Sequence, residues 1–315
     1  MGALKLSILI PAYNVEGLLS RCLDSVCMQM PDDVEVIIVN DGSTDQTLAV
    51  AESYVAQYPK IRLYSKENEG VGAARNQLLK LACGEYFWFV DADDYIEAGC
   101  VGRILNRLTA SPDTEMLLVL YNDEQKQTFF GGTGEDYVLA GLFNGYLWNK
   151  VIKRSIVSEQ HIRFMSQMYS QEDWMFLMQI YPNIKHVLET EIRAYRYCDD
   201  NANSVMRNKT EENIRRNVDN SLKTICHFKR FIETYKGCKL YSAYKAWLNY
   251  STAGFLYSLL PLRYSVGEVK QIISTFKNCS VYPIGKSENR KADLFVNIAN
   301  IEWLYLLLMR LWKKN

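Results

Sequence analysis

The sequence predicts an α/β fold in which a mostly parallel sheet is covered by helices on both faces and is followed by a helical C-terminal region. Three observations lead to this prediction. Apolar segments and segments with helical spacing alternate four times within the first ninety residues of the 315-residue chain. The apolar segments are almost continuously hydrophobic, which is typical of strands buried on both faces. Polar residues follow these segments, at the edge where ligands bind in open α/β sheets.

The first ninety residues are predicted to contain four strands and three helices. The strands are residues 6–10, 34–39, 61–64 and 86–90. The helices are residues 17–30, 44–57 and 71–82, in which apolar residues recur at three- and four-residue spacing. Pro11 closes the first strand, and Gly84 follows the third helix, so each element has a recognisable stop signal.

Beyond residue 100 the pattern is mixed. It predicts a strand at residues 116–121, a flexible loop at 131–134, and helices at 147–157 and 171–180. After about residue 208 the chain is predicted to be helical, with helices at 213–235, 241–260, 266–276 and 294–313. We therefore divide the chain into residues 1–205 and a helical C-terminal region, residues 206–315.

The composition is that of an ordinary globular protein, with 48% hydrophobic residues, 23% charged residues and no net charge. The charge is uneven, because residues 1–205 carry a net charge of −11 and residues 206–315 a net charge of +11. The C-terminal region is therefore expected to meet anionic partners. No apolar segment reaches the roughly 18 residues of a membrane-spanning helix, and the N-terminus does not resemble a signal peptide.

The eight cysteines are scattered and form no C-x-x-C pair. We interpret them as free thiols in a reducing cytosol, not as a disulfide framework or a zinc site. The three histidines, His161, His186 and His227, lack the spacing of metal ligands. The sequence also contains no G-x-S-x-G motif and no P-loop, so the candidate chemistry rests on carboxylates.

An acidic cluster follows the fourth predicted strand, in the segment WFVDADDYI. Asp91, Asp93 and Asp94 repel one another and resist removal from water, so packing alone does not explain them. Mg²⁺ and Mn²⁺ prefer such hard oxygen ligands, and Mg²⁺ is often held by only one or two protein carboxylates. The D-x-D sequence from Asp91 to Asp93 therefore predicts a metal site. The alternative is a solvated acidic turn that caps the next helix.

Three other polar segments carry candidate chemistry. Asp41 ends the second strand and can accept hydrogen bonds from a base or a sugar, although the same turn can simply cap a helix. The segment from Gly70 to Arg75 nearly fits a dinucleotide-binding fingerprint, but its glycines do not directly follow a strand and Arg75 stands at its last position. Glu172 and Asp173 open a helix, either as a general base or as acids that complement the helix dipole.

In combination and in this order, the motifs resemble those of the family 2 glycosyltransferases, notably members from bacterial capsule and lipopolysaccharide biosynthesis. The matching segments are SILIPAYN at 7–14, VNDGS at 39–43, NEGVGAARN at 68–76, FVDADD at 89–94 and Glu172-Asp173, with further likeness at 148–150, 163–164 and 193–197. The resemblance covers roughly residues 5–205. It implies a GT-A fold, a Rossmann-like α/β domain, with a nucleotide-binding half at about residues 1–98 and an acceptor half at 99–205.

The resemblance also implies an inverting transfer of a sugar from a nucleotide-diphosphate sugar, commonly a UDP-sugar. The residues implied at the nucleotide-sugar are Pro11, Ala12, Tyr13, Asp41, Asn68, Arg75, Asp91 and Ala92. Tyr13 would lie near the base ring and Asp41 would bind the base. Asp91 would contact the ribose and, with Asp93, hold a Mn²⁺ or Mg²⁺ ion. Asp173 would be the catalytic base, with Glu172 beside it.

The implied acceptor is a hydroxyl of a glycan or a lipid-linked molecule in surface polysaccharide synthesis, and no nucleic acid is implied. The alternatives are a non-catalytic nucleotide-sugar-binding homologue and a dinucleotide-dependent oxidoreductase. The departures of the Gly70–Arg75 segment from the dinucleotide-binding fingerprint argue against the oxidoreductase. An acidic segment at 198–204 departs from the family pattern and leaves the role of Asn203 and Ser204 open.

The C-terminal segment 294–314 mixes Trp and Leu residues with Lys313 and Lys314. It is expected either to pack on the catalytic domain or a second subunit, or to contact the anionic inner leaflet of a membrane. The expected location is therefore the cytoplasm or the inner face of the membrane. The oligomeric state is left open, with a homo-oligomer as one alternative.

Overall fold

The computed structural model describes residues 4–122, 130–165, 171–199, 210–262 and 264–312. Asn203, Ser204, Lys313 and Lys314, which were noted in the sequence, lie outside the described residues. The chain divides into two compact units, residues 1–209 and residues 210–315.

The first unit is organised by one sheet, to which nine strands of the described residues belong. They are β1 (Leu6–Ala12), β2 (Val34–Asp41), β3 (Ile61–Lys66), β4 (Tyr86–Phe89), β5 (Tyr95–Ile96), β6 (Met116–Tyr121), β7 (Gly131–Gly132), β8 (Lys150–Lys153) and β9 (Val187–Arg196). The order along the sheet is β3-β2-β1-β4-β8-β6-β9-β5, and β7 pairs with β9. Strands β1 to β4 are mutually parallel, β8 is antiparallel to β4 and β6, and β9 is parallel to β6. The predicted α/β fold with a mostly parallel sheet is confirmed.

Helices connect the strands of the first unit. Those in the described residues are α1 (Leu19–Cys27), α2 (Thr47–Gln57), α3 (Val71–Leu81), α4 (Cys100–Ala110), α5 (Gly134–Leu139), α6 (Arg154–Glu159) and α7 (Glu172–Ile180). Helix α1 illustrates why they form, because its buried residues Leu19, Cys22, Leu23 and Val26 recur at helical spacing. These residues share one core with α4 and with alternate residues of β1, as expected when successive side chains of a strand point to opposite faces.

The second unit is helical in its described part. Its helices are α8 (Glu211–Glu233), α9 (Leu240–Ser258), α10 (Val266–Asn278), α11 (Arg290–Ala299) and α12 (Glu302–Trp312). A capping box starts α10, in which the backbone amides of Ser265 and Glu268 each donate to the other's side chain, at 2.7 and 3.2 Å. The buried hydroxyl of Tyr305 donates to the Leu256 carbonyl at 2.7 Å and so fixes α12 on α9.

The predicted helix at residues 147–157 is wrong in its first part. Residues Lys150–Lys153 form β8, and α6 begins only at Arg154. A short apolar segment does not distinguish a buried strand from a helix by its periodicity, and pairing with both β4 and β6 decides the outcome here. The flexible loop predicted at residues 131–134 is also wrong, because β7 occupies Gly131–Gly132 and Thr133 caps α5.

The single helix predicted at residues 294–313 is instead the bent pair α11 and α12, with an angle of 104° at the break. Asn300 stabilises this break, since its side chain exchanges two 2.8 Å hydrogen bonds with the backbone N–H and carbonyl of Ile284. Within the described part of the chain, no single helix meets the length and hydropathy of a membrane span, and only this bent pair does so when both helices are counted together.

The prediction of eight free thiols is wrong for two cysteines. Cys226 of α8 and Cys279, directly after α10, form a disulfide with a Cα–Cα distance of 5.8 Å. The two residues are 53 positions apart, so sequence spacing could not indicate a pairing that only the packing of the helical unit creates. The other six cysteines form no disulfide within the described part of the chain, and Cys22, Cys27 and Cys100 among them are buried.

Candidate active site

The polar residues singled out in the sequence meet at one edge of the sheet. The parallel strands β1, β2 and β4 end there. Because β8 is antiparallel to β4, with Trp88 opposite Val151, the start of β8 lies at the same edge. The ends of β6 and β9 join them, with Tyr121 opposite Tyr195. Loops from both halves of the sheet therefore contribute to one site.

Arg75 on α3 is the centre of the site. Its Nη1 atom donates to Glu172 Oε1 at 2.7 Å and also to Asp173 Oδ1, and its Nη2 atom lies 3.2 Å from Asp91 Oδ1. Only 4% of Arg75 is exposed. One guanidinium thus joins the end of β4 to the start of α7, two segments that are about eighty residues apart in sequence.

The surroundings of Arg75 hold it in place. Its guanidinium carbon lies 5.9 Å from the centre of the Phe89 ring and 5.6 Å from that of Phe164. The neighbouring Asn76 exchanges two 2.8 Å hydrogen bonds with the backbone of Phe164. A Cβ atom on Gly72 would lie only 3.2 Å from the Met165 carbonyl oxygen, so glycine permits the close approach of α3 to this segment.

Burial changes the acid–base properties of the clustered carboxylates. Burial raises the pKa of Asp173 well above its usual value, Arg75 opposes this effect, and the charges of Glu172 and Asp91 add to it. The pKa of Asp91 is raised in the same way, by burial first and by the repulsion of Asp93. Negative charge is therefore in excess, because one guanidinium faces three carboxylates.

The acidic turn after β4 is fixed by several groups to which the sequence assigned no role in the site. The Tyr195 hydroxyl donates to Asp94 Oδ2 at 2.7 Å and accepts from the Asp91 N–H at 3.1 Å. The Cys198 N–H donates to Asp94 Oδ1 at 2.7 Å, and Arg21 donates to the Asp93 carbonyl at 2.6 Å. Burial raises the pKa of Asp94 to about 7, with a contribution from Asp91. Asp94 therefore anchors the turn, and Ala92 is buried within it.

The side of the site predicted to bind the nucleotide lies at the ends of β2 and β3. A cleft of about 560 Å³ opens there, and Gly42, Lys66 and Asn68 are among its lining residues. Tyr13, which follows Pro11 and Ala12 of β1, is 48% exposed. The loop that follows β1 is tied to the loop that follows β2, because the Thr44 N–H donates to Asn14 Oδ1 at 2.8 Å.

Asp41 is buried beside this cleft and is already engaged with protein donors. Its Oδ2 atom accepts from the Gly70 N–H at 2.8 Å, and its Oδ1 atom accepts from Lys66 Nζ at 2.7 Å and from the Glu69 N–H at 3.2 Å. Asp41 thus secures the loop that leads into α3. The structure brings Arg75, Asp91 and the Glu172–Asp173 pair into contact, whereas Asp41 and Asn68 lie at the cleft.

Lys150 is a further charged residue at this edge, whose signal was the 148–150 segment. It is buried, and its ammonium donates to Asn144 Oδ1 at 2.7 Å, to Asn149 Oδ1 at 2.8 Å and to the Tyr146 carbonyl. Burial lowers the pKa of Lys150 to about 7, and the charge of Asp173 opposes the shift. No three His, Cys, Asp or Glu side chains of the described residues are placed to hold a metal by themselves.

Comparison with solved structures identifies the fold. The structure of S. aureus TarS 1–349 in complex with UDP-GlcNAc superposes with a TM-score of 0.70 at 19% identity, covering 99% of this chain and 92% of that one. A mannosyltransferase from Pyrobaculum calidifontis, solved with GDP-Man and Mn²⁺, has a TM-score of 0.53 at 16% identity and covers 99% and 88%. The chain therefore has the GT-A fold that its sequence motifs implied.

Sequence comparison identifies the family. The putative glycosyltransferase EpsH of Bacillus subtilis is 30% identical over 61% of this chain and 60% of that protein. The poly(ribitol-phosphate) beta-glucosyltransferase of Bacillus spizizenii is 33% identical over 62% of this chain, but this match spans only 32% of the relative. The family model for glycosyl transferase family 2 matches residues 7–166, about half of the chain, and the chain therefore belongs to that family.

Proposed function

We propose that this protein is an inverting glycosyltransferase that transfers a sugar from a nucleotide-diphosphate sugar, in our proposal a UDP-sugar, to a hydroxyl of an acceptor. The observation that carries the proposal is the contact of Arg75 with Asp91 at the end of β4 and with Glu172 and Asp173 at the start of α7. It joins the D-x-D turn, where a donor diphosphate would lie, to a carboxylate able to deprotonate an acceptor.

In this proposal the donor binds across residues 1–98. The cleft at the ends of β2 and β3 takes the nucleoside, with the exposed ring of Tyr13 against the base and Asn68 at the cleft wall. Asp41 holds the loop around this pocket through the Gly70 N–H and offers its one remaining acceptor site, on Oδ2, to the base. The ribose lies toward Asp91. The solved complexes of TarS with UDP-GlcNAc and with UDP support the choice of nucleotide.

Asp173 acts as the general base on the acceptor side, residues 99–205. Its raised pKa makes it a stronger proton acceptor than an exposed carboxylate, and the positive charge of Arg75 opposes that rise. Glu172 shares Arg75 and fixes the orientation of the pair. Asp173 removes the proton of the acceptor hydroxyl as its oxygen attacks the anomeric carbon from the face opposite to the leaving group, so the configuration inverts. A nucleoside diphosphate leaves as an anion and requires no protein acid.

A divalent ion, Mn²⁺ or Mg²⁺, fits the donor groups of the site. The turn presents the oxygens of Asp93 and Asp91, hard ligands that these ions prefer, and the site carries an excess of negative charge. Asp93, together with Asp91, would hold the ion, and the substrate diphosphate would supply the rest of its ligands. When bound, the ion supplies electrostatic stabilisation of the charge on the departing diphosphate. Arg21 and Tyr195 hold the turn in place for it.

We place this activity in surface polysaccharide synthesis, with a glycan or a lipid-linked molecule as acceptor. The B. spizizenii relative is named as a glucosyltransferase for a polymer, poly(ribitol-phosphate), which supports a polymeric acceptor. Helix α12 exposes Trp303, Leu307 and Leu311 at four-residue spacing, an apolar stripe suited to lie at a membrane surface. In this proposal α12 holds the enzyme peripherally on the anionic inner face of the membrane.

The donor site is tested by thermal shift with UDP-, GDP- and dTDP-sugars, in Mn²⁺ and in EDTA. We expect a UDP-sugar to raise the melting temperature of the wild type by several degrees in Mn²⁺ only. The Asp93→Ala variant should lose this shift, whereas Asp113→Ala, which removes an exposed acid outside the site, should retain it. The absence of any nucleotide-dependent shift in the folded wild type would contradict the proposal.

The catalytic role is tested on the same preparations. With a UDP-sugar that binds, NMR of the transferred product should show an inverted anomeric configuration. Asp173→Asn should lower kcat by about 10²- to 10⁴-fold, the usual contribution of a general base, while the donor-dependent thermal shift persists. Donor binding without transfer to any acceptor in the wild type would instead indicate the non-catalytic homologue.

A further inference from the structure

Three aromatic rings form a stack that runs from the acidic turn to the protein surface. The rings of Tyr195 and Trp148 lie 4.6 Å apart with an interplanar angle of 16°, and those of Trp148 and Tyr146 lie 4.9 Å apart at 21°. Exposure rises along this aromatic stack from 0% at Tyr195 to 7% at Trp148 and 46% at Tyr146. Tyr197, which is 48% exposed, lies beside the stack with its ring 6.0 Å from that of Trp148.

The inner end of the aromatic stack contacts the acidic turn. The Tyr195 hydroxyl is the group that bonds both Asp94 and the Asp91 N–H. The Trp148 carbonyl accepts a 2.6 Å hydrogen bond from Trp88, three residues before Asp91. The position of the stack is therefore fixed relative to the carboxylates.

The outer end of the stack lies next to α7. Tyr146 belongs to a loop, residues 144–149, in which a Cβ on Gly145 would lie 2.7 Å from Trp174 Cδ1. Trp174 directly follows Asp173, so this loop packs against the first turn of the helix that carries the proposed base. Lys150 fixes the same loop through Asn144, Asn149 and the Tyr146 carbonyl, and it is thus a positioning residue for Tyr146.

The sheet order separates the stack from the nucleotide cleft. Strand β4, which ends in the D-x-D turn, has β1, β2 and β3 on one side and β8, β6 and β9 on the other. The cleft lies at β2 and β3, and the stack is built from the residues at the start of β8 and the end of β9. Donor and stack are therefore on opposite sides of the reacting groups, which is where donor and acceptor must lie in an inverting transfer.

The exposed ring surfaces indicate the chemistry of the ligand. A pyranose ring has an apolar face of C–H groups and a rim of hydroxyls, so it can lie flat on a tyrosine ring while its hydroxyls stay hydrogen-bonded. An acyclic alditol phosphate has no such face and would be bound chiefly through its charge. A stack of rings whose exposed end belongs to a loop packed against the start of α7 therefore favours a cyclic sugar.

We propose that Tyr146, with Tyr197 beside it, forms an acceptor subsite that binds a pyranose ring by stacking and directs one of its hydroxyls toward Asp173. The proposal rests on the proposed glycosyltransferase function and specifies its acceptor class. Its buried supports are Trp148 and Tyr195, and Lys150 holds the loop that carries it.

The test is saturation-transfer NMR on the full chain with UDP present. The probes are cellopentaose, maltopentaose and chitopentaose, with an oligomer of ribitol phosphate as the acyclic comparison. We expect at least one pyranose oligosaccharide to receive saturation on its ring C–H protons. Tyr146→Ala should weaken its binding about fivefold or more, the scale of an aromatic stacking contact, and Tyr146→Phe should preserve it. Tyr250→Ala removes a tyrosine of α9 with nearly the same exposure as Tyr146, 48% against 46%, and should have no effect.

Three results would overturn the proposal: no pyranose binding by the wild type, equal pyranose affinity in Tyr146→Ala, or binding of the ribitol phosphate oligomer alone. The proposed glycosyltransferase function is tested separately, by the thermal shift that UDP-sugars cause in the wild type. A donor-dependent shift with no loss of oligosaccharide binding in Tyr146→Ala would reject the subsite and keep the transferase. The absence of a donor-dependent thermal shift in the wild type would reject the glycosyltransferase function itself.

Discussion

At the scale of single residues, Arg75 shows how one side chain organises the site. A guanidinium is a planar group with five donors, so it can bond three carboxylates in fixed directions at once. Glu172, Asp173 and Asp91 use this capacity. The sequence indicated Arg75 near a nucleotide, but it gave no sign of the contact with α7, because Arg75 and Asp173 are 98 residues apart.

Two replacements of Arg75 should distinguish the effect of its positive charge from the effect of its forked hydrogen-bonding geometry. In Arg75→Met the positive charge that lowers the pKa of Asp173 is lost, so that pKa rises further and the acidic limb of the kcat–pH profile should move to higher pH. Breaking a buried ion pair should also cost about 3–5 kcal/mol of stability. Arg75→Lys keeps the charge but not the fork, so kcat should fall about tenfold or more while the acidic limb stays in place. Transfer assays between pH 5 and 9 measure both effects.

Arg62→Met is the matched control for this pair of variants. Arg62 also donates to a carboxylate of a neighbouring strand, at 2.8 Å to Glu35, but it lies outside the site. Its loss should lower stability without moving the pH profile. An identical acidic limb in Arg75→Met and in the wild type would show that Arg75 does not control the ionisation of the base.

Residues of the site differed in how visible they were in the sequence. Asp91, Asp93 and Asp173 could be predicted from the sequence, because a charge at the end of a buried strand or at the start of an apolar helix is energetically costly and suggests a function. Trp148, Lys150 and Tyr195 were indicated only by the likeness of segments 148–150 and 193–197 to the family, and not by their own chemistry, since an aromatic or basic residue in an apolar segment is compatible with ordinary packing. Their importance depends on contacts between β8, β9 and the acidic turn, which only the fold supplies.

At the scale of elements, local patterns predicted the strands well where burial is symmetric. β1, β2 and β4 are continuous apolar segments and match their predicted positions to within two residues at each end. The errors came where tertiary contacts override local preference. The sequence of β8 predicts part of a helix, but pairing with β4 and β6 makes it a strand. The sequence of α11 and α12 predicts one helix, but the hydrogen bonds between Asn300 and Ile284 stabilise a break.

The junction between α3 and β4 provides a prediction about packing. A Cβ atom on Gly84 would lie 2.6 Å from the Ser7 nitrogen of β1, and the Gly84 N–H donates to the Ser7 hydroxyl at 2.8 Å. Gly84→Ala must therefore push β4 away from β1. We expect a loss of about 1–3 kcal/mol, as for other overpacked sites, and a melting temperature lower by roughly 2–10 °C, measured by calorimetry.

Gly102 in α4 is the control, because a Cβ there meets nothing within 4 Å. Gly102→Ala should be neutral or stabilising by about 0.5–1 kcal/mol, since alanine favours a helix interior. A Gly84→Ala protein that melts at the temperature of the wild type would show that the close approach of the junction to β1 is not required.

At the scale of the whole molecule, charge and exposed apolar surface coincide in the second unit. Residues 210–315 carry a net charge of +9, and α12 exposes Trp303 to 68% and Leu311 to 53%. The opposite side of the same helix is buried through Tyr305 and Met309. Cations beside an interfacial tryptophan are the combination that binds anionic lipid headgroups. We therefore expect the second unit to attach the enzyme to a membrane that carries its acceptor.

Vesicle sedimentation tests this expectation. The full chain should pellet with phosphatidylglycerol vesicles at low salt, far less in 0.5 M salt, and not with phosphatidylcholine, because the attraction is electrostatic and is screened. Replacing Trp303 and Trp312 by Ser should at least halve the pelleted fraction, while Tyr250→Ser, which exposes the same kind of polar surface on α9, should not. The expectation is wrong if the protein stays in solution with anionic vesicles, or if it pellets equally well without both tryptophans. The exposed side of α12 would then be a surface for another protein subunit.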